Sequence, residues 1–144
     1  MQKAVIDTNI IIRLAVKDDD KQRDACIRLL ERAKSKELIL YILPVAVLET
    51  VWILEKYYKL PKKEVRDFVE ALLNTPEIIC DMENVFKRAI AVYEEKNIKF
   101  ADAVMGYWGL EKGISEVFTY DEKDFRRIEG LKVHKPYRMA KAIG

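Results

Sequence analysis

The sequence predicts an α/β fold, a single domain over residues 1–144 with a central, mostly parallel five-stranded sheet flanked by helices on both faces. Three observations carry that prediction. Five short apolar runs, Ala4–Ile6, Leu38–Ile42, Ile78–Cys80, Val117–Thr119 and Leu131–Val133, are almost free of charge, as strands buried in a parallel sheet should be. One or two segments of helical periodicity separate most of them, which is the spacing of crossover connections. The 144 residues also match the ~100–150 typical of one domain and can bury a substantial core.

The first run meets Asp7-Thr8-Asn9 and then a second apolar run, Ile10-Ile11-Ile12. A buried strand cannot carry that charge within the sheet, so Asp7 belongs just past its last buried residue. In an open α/β sheet that edge is the crevice where ligands bind. Ile10 to Val16 reads as a short helix with Thr8 or Asn9 as its cap. A second helix, Lys21 to Ser35, sets Ala25, Leu29, Leu30 and Ala33 on one face. After the strand Leu38–Ile42, Pro44 opens a helix to about Tyr58, because a first helical turn tolerates proline. Pro61 opens the next, Lys62 to Leu73, which Asn74-Thr75-Pro76 closes. The strand Ile78–Cys80 precedes a helix from Asn84 to Lys96 with Val85, Ala89, Val92 and Tyr93 in register. A further helix, Ala101 to Lys112, ends at Gly113, a residue suited to a left-handed C-terminal position.

Composition narrows the chemistry. With 50% hydrophobic and 35% charged residues the chain is globular rather than disordered. No apolar stretch approaches the ~20 residues of a membrane span, nor is there the apolar core of a secretion signal, so a cytoplasmic location without membrane contact is expected. Cys26 and Cys80 lie in apolar patterns without C-x-x-C spacing and read as buried, reduced thiols. His134 is the only histidine, which argues against a zinc site of N and S ligands and against a Ser-His-Asp hydrolase.

Four acids fall where the pattern does not explain them. Asp7 and Asp121 follow strands. Glu49 interrupts the apolar runs Val45–Leu48 and Val51–Leu54, and Asp102 sits between two alanines in the first turn of a helix, where the macrodipole favours an anion. Singly, each has an ordinary role as cap, turn or surface residue. Gathered, they would repel one another unless a cation joined them, and oxygen-only donors suit Mg²⁺ or Mn²⁺. Phosphodiester hydrolysis is the natural chemistry of such an ion and needs no histidine. Setting the four acids aside raises the formal charge of the remaining surface by four over the +2 of the chain. No acid follows Glu129, whereas Lys132, Lys135, Arg138 and Lys141 do, a basic rim suited to a polyanion.

The same residues resemble the PIN domain, and within it the VapC-like ribonuclease toxins. The matching pieces are V-I-D-T-N-I-I-I-R-L at residues 5–14, V-L-E-T-V-W-I-L around Glu49, F-A-D-A around Asp102 and F-T-Y-D-E-K-D-F-R-R-I near the end, in the family's order over nearly the whole chain. The resemblance implies a five-stranded parallel sheet with the four acids at one edge and Mg²⁺- or Mn²⁺-dependent endonucleolytic cleavage of RNA, leaving 5′-phosphate and 3′-hydroxyl ends. It assigns metal contact to Asp7 and Asp102, with Glu49 and Asp121 completing the pocket directly or through water. Thr8, Asn9 and Thr119 match positions that orient carboxylates or the attacking water. T-Y-D-E-K-D-F is one residue longer than the commoner T-x-D-x-D-F form, which leaves Asp121 and Asp124 as candidates for the fourth acid; Asp121 is nearer the strand end. The resemblance further implies a homodimer and a cognate VapB-like antitoxin.

RNA-backbone contacts are expected from Lys123, Arg126, Arg127, Lys135 and the rest of the basic tail, with Arg13 and Lys99 behind them. Tyr107, Trp108, Tyr120 and Phe125 lie near the acids in sequence and are the aromatics to consider for base stacking, with core packing the better reading of Trp108 and Phe125. Trp52, Tyr57 and Tyr58 fit an apolar protein contact. Two other readings compete. A PIN nuclease acting in RNA processing or quality control uses the same site. A receiver-like phosphoacceptor switch would use Asp81, Thr119 and Lys132 or Lys135, but it wants paired acids after the first strand and leaves Glu49 and Asp102 unexplained. A phosphatase with Asp7 as nucleophile lacks its second acid, which is Asn9 here.

Overall fold

Through the described residues the apolar runs mark the strands and the segments of helical period mark the helices, although the first strand begins two residues early, at Gln2, takes in Lys3 and is largely exposed rather than buried. The structure, a computed structural model, describes residues 1–136. Contacts divide the chain into two units, residues 1–83 and the remainder from Asn84.

The first unit comprises β1 (Gln2–Val5), α1 (Thr8–Ala15), α2 (Asp20–Lys34), β2 (Leu38–Ile42), α3 (Pro44–Lys56), α4 (Lys62–Leu73) and β3 (Ile78–Cys80). Its strands form a parallel sheet in the order β1-β2-β3, with Val5 opposite Tyr41 and Ile42 opposite Cys80. Central β2 buries Leu38, Leu40 and Ile42 on one side, the period-2 pattern of a pleated strand. The ladder continues one step past β1, where the Ile6 amide donates to the Tyr41 carbonyl at 3.0 Å. Asp7 is the first residue beyond that bond. Ile11, Val47, Leu54, Val65 and Val69 are fully buried and form the core of this unit. On α2, Cys26 and Ala33 are buried while Ala25 is exposed, so the inward stripe is rotated from the face expected.

The second unit holds α5 (Glu83–Glu95), α6 (Phe100–Glu111), β4 (Glu116–Phe118), α7 (Glu122–Phe125) and β5 (Lys132–His134). β4 and β5 pair in parallel, Phe118 opposite His134, and the Thr119 amide extends the ladder to the His134 carbonyl at 2.9 Å. Val85, Ala89, Val92 and Tyr93 are buried, as their register predicts. Gly109 lets α6 turn back on its own exit, because a Cβ there would meet the Ile114 carbonyl oxygen at 2.9 Å. Gly113 takes a left-handed φ of 75° just past α6, as expected, while the Ile114 amide bonds to the Gly109 carbonyl at 2.8 Å.

Five strands form and every pairing is parallel, joined as a set of three and a pair. β4 begins one residue before its expected run and admits Glu116, which is solvent-exposed there, while β5 begins one residue after its own and runs on to His134. The one-turn α7 was not expected: four residues are too few to display a period. Cys26 and Cys80 are both free thiols, but Cys80 is only half-buried rather than buried. Burial, then the charges of Asp81 and Glu83, pushes its thiol up to about 11. Among the described residues no helix is long and apolar enough to cross a membrane.

Candidate active site

Asp7 and Glu49 belong to the first unit, Asp102 and Asp121 to the second. Asp7 is the N-cap of α1, its Oδ1 accepting from the Ile10 amide at 3.1 Å. The cap is therefore the acid itself rather than Thr8 or Asn9, both of which lie inside the first turn of α1. A β1 ending in extended backbone hands the chain to the helix at Asp7, whose carboxylate is the group best placed to satisfy an orphan amide. One such bond uses a fraction of the roughly four lone-pair sites of a carboxylate. Thr8 points its hydroxyl at Glu49 on α3, Oγ1 to Oε1 3.2 Å. Glu49 is exposed although apolar runs flank it on α3, and its neighbour Thr50 is fully buried, its hydroxyl donating to the Ala46 carbonyl at 2.7 Å. Asn9 is exposed beside them.

In the second unit Asp102 sits in the first turn of α6 and is half-buried. Burial pushes its carboxyl above the ordinary 3.8, the charges of Asp124 and Asp121 push it further, and Lys99 partly offsets them. Asp121 is exposed, with the Lys99 ammonium 3.7 Å from its Oδ2. Its amide donates to Thr119 Oγ1 at 2.9 Å, so Thr119 fixes the turn that carries Asp121. Asp124 is different in kind. It is buried, with 6% of its surface exposed, and its Oδ2 accepts from the Lys99 amide at 3.0 Å. That bond ties α7 to the start of α6, and the Asp124 charge bears on Asp102 more strongly than that of Asp121. The structural work of Asp124 was invisible in sequence, since nothing in T-Y-D-E-K-D-F says which acid turns inward.

Within the second unit, Asp102 is raised first by burial and then by the charges of Asp124 and Asp121, and carboxylate oxygens of this kind are the donors that a hard divalent cation takes. Among the described residues no three His, Cys, Asp or Glu side chains are grouped so as to hold a metal ion.

The basic candidates behave unequally. Lys123 is exposed and Lys135 half-buried. Arg126 is engaged by Glu122, with Nη2 to Oε2 2.6 Å, and Arg127 donates to the Lys96 carbonyl. Arg13 is committed twice, Nε to the Gln22 Oε1 at 2.6 Å and Nη1 to the Asp18 Oδ1 at 3.0 Å. Arg138 and Lys141 lie outside the described residues. Among the aromatics, Tyr107 and Phe125 are buried and Tyr120 is exposed. Trp108, read as core, is instead 41% exposed. His134 pairs its Nε2 with the Glu116 carboxylate across β4 and β5. No pattern in the sequence marks the cluster of Arg13, Asp18 and Tyr58, in which the Tyr58 hydroxyl donates to Asp18 at 2.6 Å across a separation of 40 residues.

A VapC ribonuclease from Aquifex aeolicus (strain VF5) is 23% identical over 133 residues, which cover 92% of this chain and 96% of the relative. The PIN domain family profile matches residues 4–131, a span that takes in Asp7, Glu49, Asp102, Asp121 and Asp124, and the chain belongs to the PIN domain family.

Proposed function

We propose that the protein is an Mg²⁺- or Mn²⁺-dependent endoribonuclease that hydrolyses RNA phosphodiester bonds, the toxin of a VapBC-type pair. The observation that carries the reading is the family match over residues 4–131, joined by likeness to a VapC ribonuclease over nearly all of both chains. Asp7, Glu49, Asp102 and Asp121 are the residues that would hold the ion. When bound, such an ion supplies a deprotonated water at neutral pH and neutralises charge growing on the phosphate.

The chain's own groups set the conditions for that chemistry. Thr8 orients Glu49, the α1 amide of Ile10 orients Asp7, and Thr119 shapes the turn at Asp121. Asp102, crowded by Asp124 and Asp121, is the carboxylate with most to gain from a cation. Lys99 sits beside Asp121 and would meet the RNA backbone there. Asp121 is favoured as the fourth acid because it is exposed, whereas Asp124 is buried on the Lys99 amide. A cognate VapB-like antitoxin, a homodimer and a cytoplasmic location belong to the same proposal.

The test is incubation of purified protein, freed of partners, with a pool of RNAs in EDTA, Mg²⁺ or Mn²⁺, beside Asp7→Asn and Asp102→Asn. Cleavage that requires the metal and disappears in both variants supports the reading. Neither cleavage nor calorimetric metal binding would sink it.

A further inference from the structure

We infer that a cleft between α1 and α3 is a subsite for an unpaired nucleobase of the RNA, with Tyr57 as its stacking platform. The inference rests on the ribonuclease reading of the neighbouring acids. The cleft has a volume of about 340 Å³, within the ~300–1,000 Å³ of sites that take small planar ligands. One end is Thr8, Asn9 and Glu49, and the other is Tyr57 and Tyr58. Glu49, Ile53 and Tyr57 follow one another at helical spacing along one side of α3 and its C-cap, so an acid, an apolar floor and a ring succeed each other over roughly 12 Å.

The aromatic end is built and held. Tyr57 is 73% exposed, so its ring is open to a partner from solvent. Its ring and that of Tyr58 meet in a T-shaped pair, centroids 4.9 Å apart at 83°, an arrangement that occupies at most one face of Tyr57. Tyr58 is in turn fixed by its hydroxyl on Asp18, and Asp18 by Arg13, which Gln22 also holds. The Arg13 guanidinium is thereby spent on positioning the platform.

RNA fits this cleft better than a protein segment does. A docked helix needs a row of apolar pockets at i, i+4 and i+7, whereas among the described residues Ile12 and Ile53 are the only aliphatic side chains lining the cleft. A base needs a ring face and a donor or acceptor at its edge, which Tyr57 and the exposed Asn9 amide supply. Sharing Glu49 and Thr8 with the proposed cleavage machinery, the cleft would hold a base near the phosphate that is cut, and so bias where cutting occurs.

The test uses the full chain and a short single-stranded oligoribonucleotide carrying 2-aminopurine, whose fluorescence falls on stacking. In EDTA the wild-type protein should bind and quench. Tyr57→Ala should weaken binding roughly 10-fold and abolish the quenching, while Tyr57→Phe retains both. Equal affinity and quenching in wild type and Tyr57→Ala, at unchanged melting temperature, would overturn the subsite and leave metal-dependent cleavage untouched. No quenching by wild type at any position of the probe would overturn it too. Loss of a purified partner protein's binding in Tyr57→Ala, with RNA affinity unaltered, would assign the cleft to that partner instead. Tyr57-dependent quenching in a protein that cuts no RNA in Mg²⁺ or Mn²⁺ would keep the subsite and remove the nuclease.

Discussion

The two units treat their acids in opposite ways. In the first, Asp7 and Glu49 are each steadied by a neutral donor, an α1 amide and the Thr8 hydroxyl. In the second, Asp102 is penalised first by its burial and then by like charge from Asp124 and Asp121, with Lys99 as partial relief. The first arrangement fixes direction and costs little. The second stores repulsion, since an acid whose folded pKa is raised is destabilising wherever it is ionised. A cation therefore has different things to offer the two: geometry already set in one, electrostatic relief in the other.

The largest effect that would break this contrast comes from Asp102→Asn. RNA cleavage should fall on the order of 10²–10³-fold, the loss expected when one group stabilising transition-state charge is removed. Yet the melting temperature at neutral pH should hold or rise, because a repelled charge has gone. The sign follows from linkage: the raised pKa means that the folded state binds the proton more tightly, so stability falls as pH climbs from the ordinary 3.8 through the folded value. Wild type minus Asp102→Asn should lose stability over that window, and a difference that grows with pH would refute the account. Added Mn²⁺ should raise the wild-type melting temperature more than that of the variant.

Thr8→Val probes the other unit. Its loss should lower cleavage about 10-fold by letting Glu49 swing, with the melting temperature nearly unchanged, since the bond it breaks is exposed. A loss as large as that of Asp102→Asn would mean that orientation matters as much as charge. Asp124→Ala should act mainly on stability, costing ~1–2 kcal/mol by leaving the Lys99 amide without its acceptor, partly offset by relief of Asp102. Denaturant titration reads it directly. The smallest effect is Tyr58→Phe. The Tyr58 hydrogen bond, with Arg13 adding, holds Asp18 below its ordinary 3.8, so this contribution is present above that pH and is lost as pH falls through the depressed value. Wild type and Tyr58→Phe should therefore converge in stability in acid.

Much of this was legible in advance because it is local. Leu38–Ile42 and Lys62–Leu73 form with the expected bounds since a strand period, a proline opening and a polar stop are all written in adjacent residues. Gly113 is the same kind of signal. Other elements were legible only in part. The face of α2 was missed by about one position, because Ala25 and Cys26 are equally admissible in a period and only the packed neighbour chooses between them. Trp108 was expected inside and lies partly outside, for a hydrophobic side chain records no obligation to be covered.

By itself the sequence determined the alternation of strands and helices, the placement of Asp7 just past the end of the first strand's ladder, and the residue types from which the candidate site is built. These depend on periodicity, backbone preference and charge, which neighbours in the chain share. Tertiary structure alone decided that Asp124 turns inward while Asp121 stays in solvent, that Thr8 meets Glu49 across 41 residues, and that Arg13 serves Tyr58. Each depends on a partner far away in sequence, and hydrogen bonds and Coulomb forces between distant residues leave no period to read.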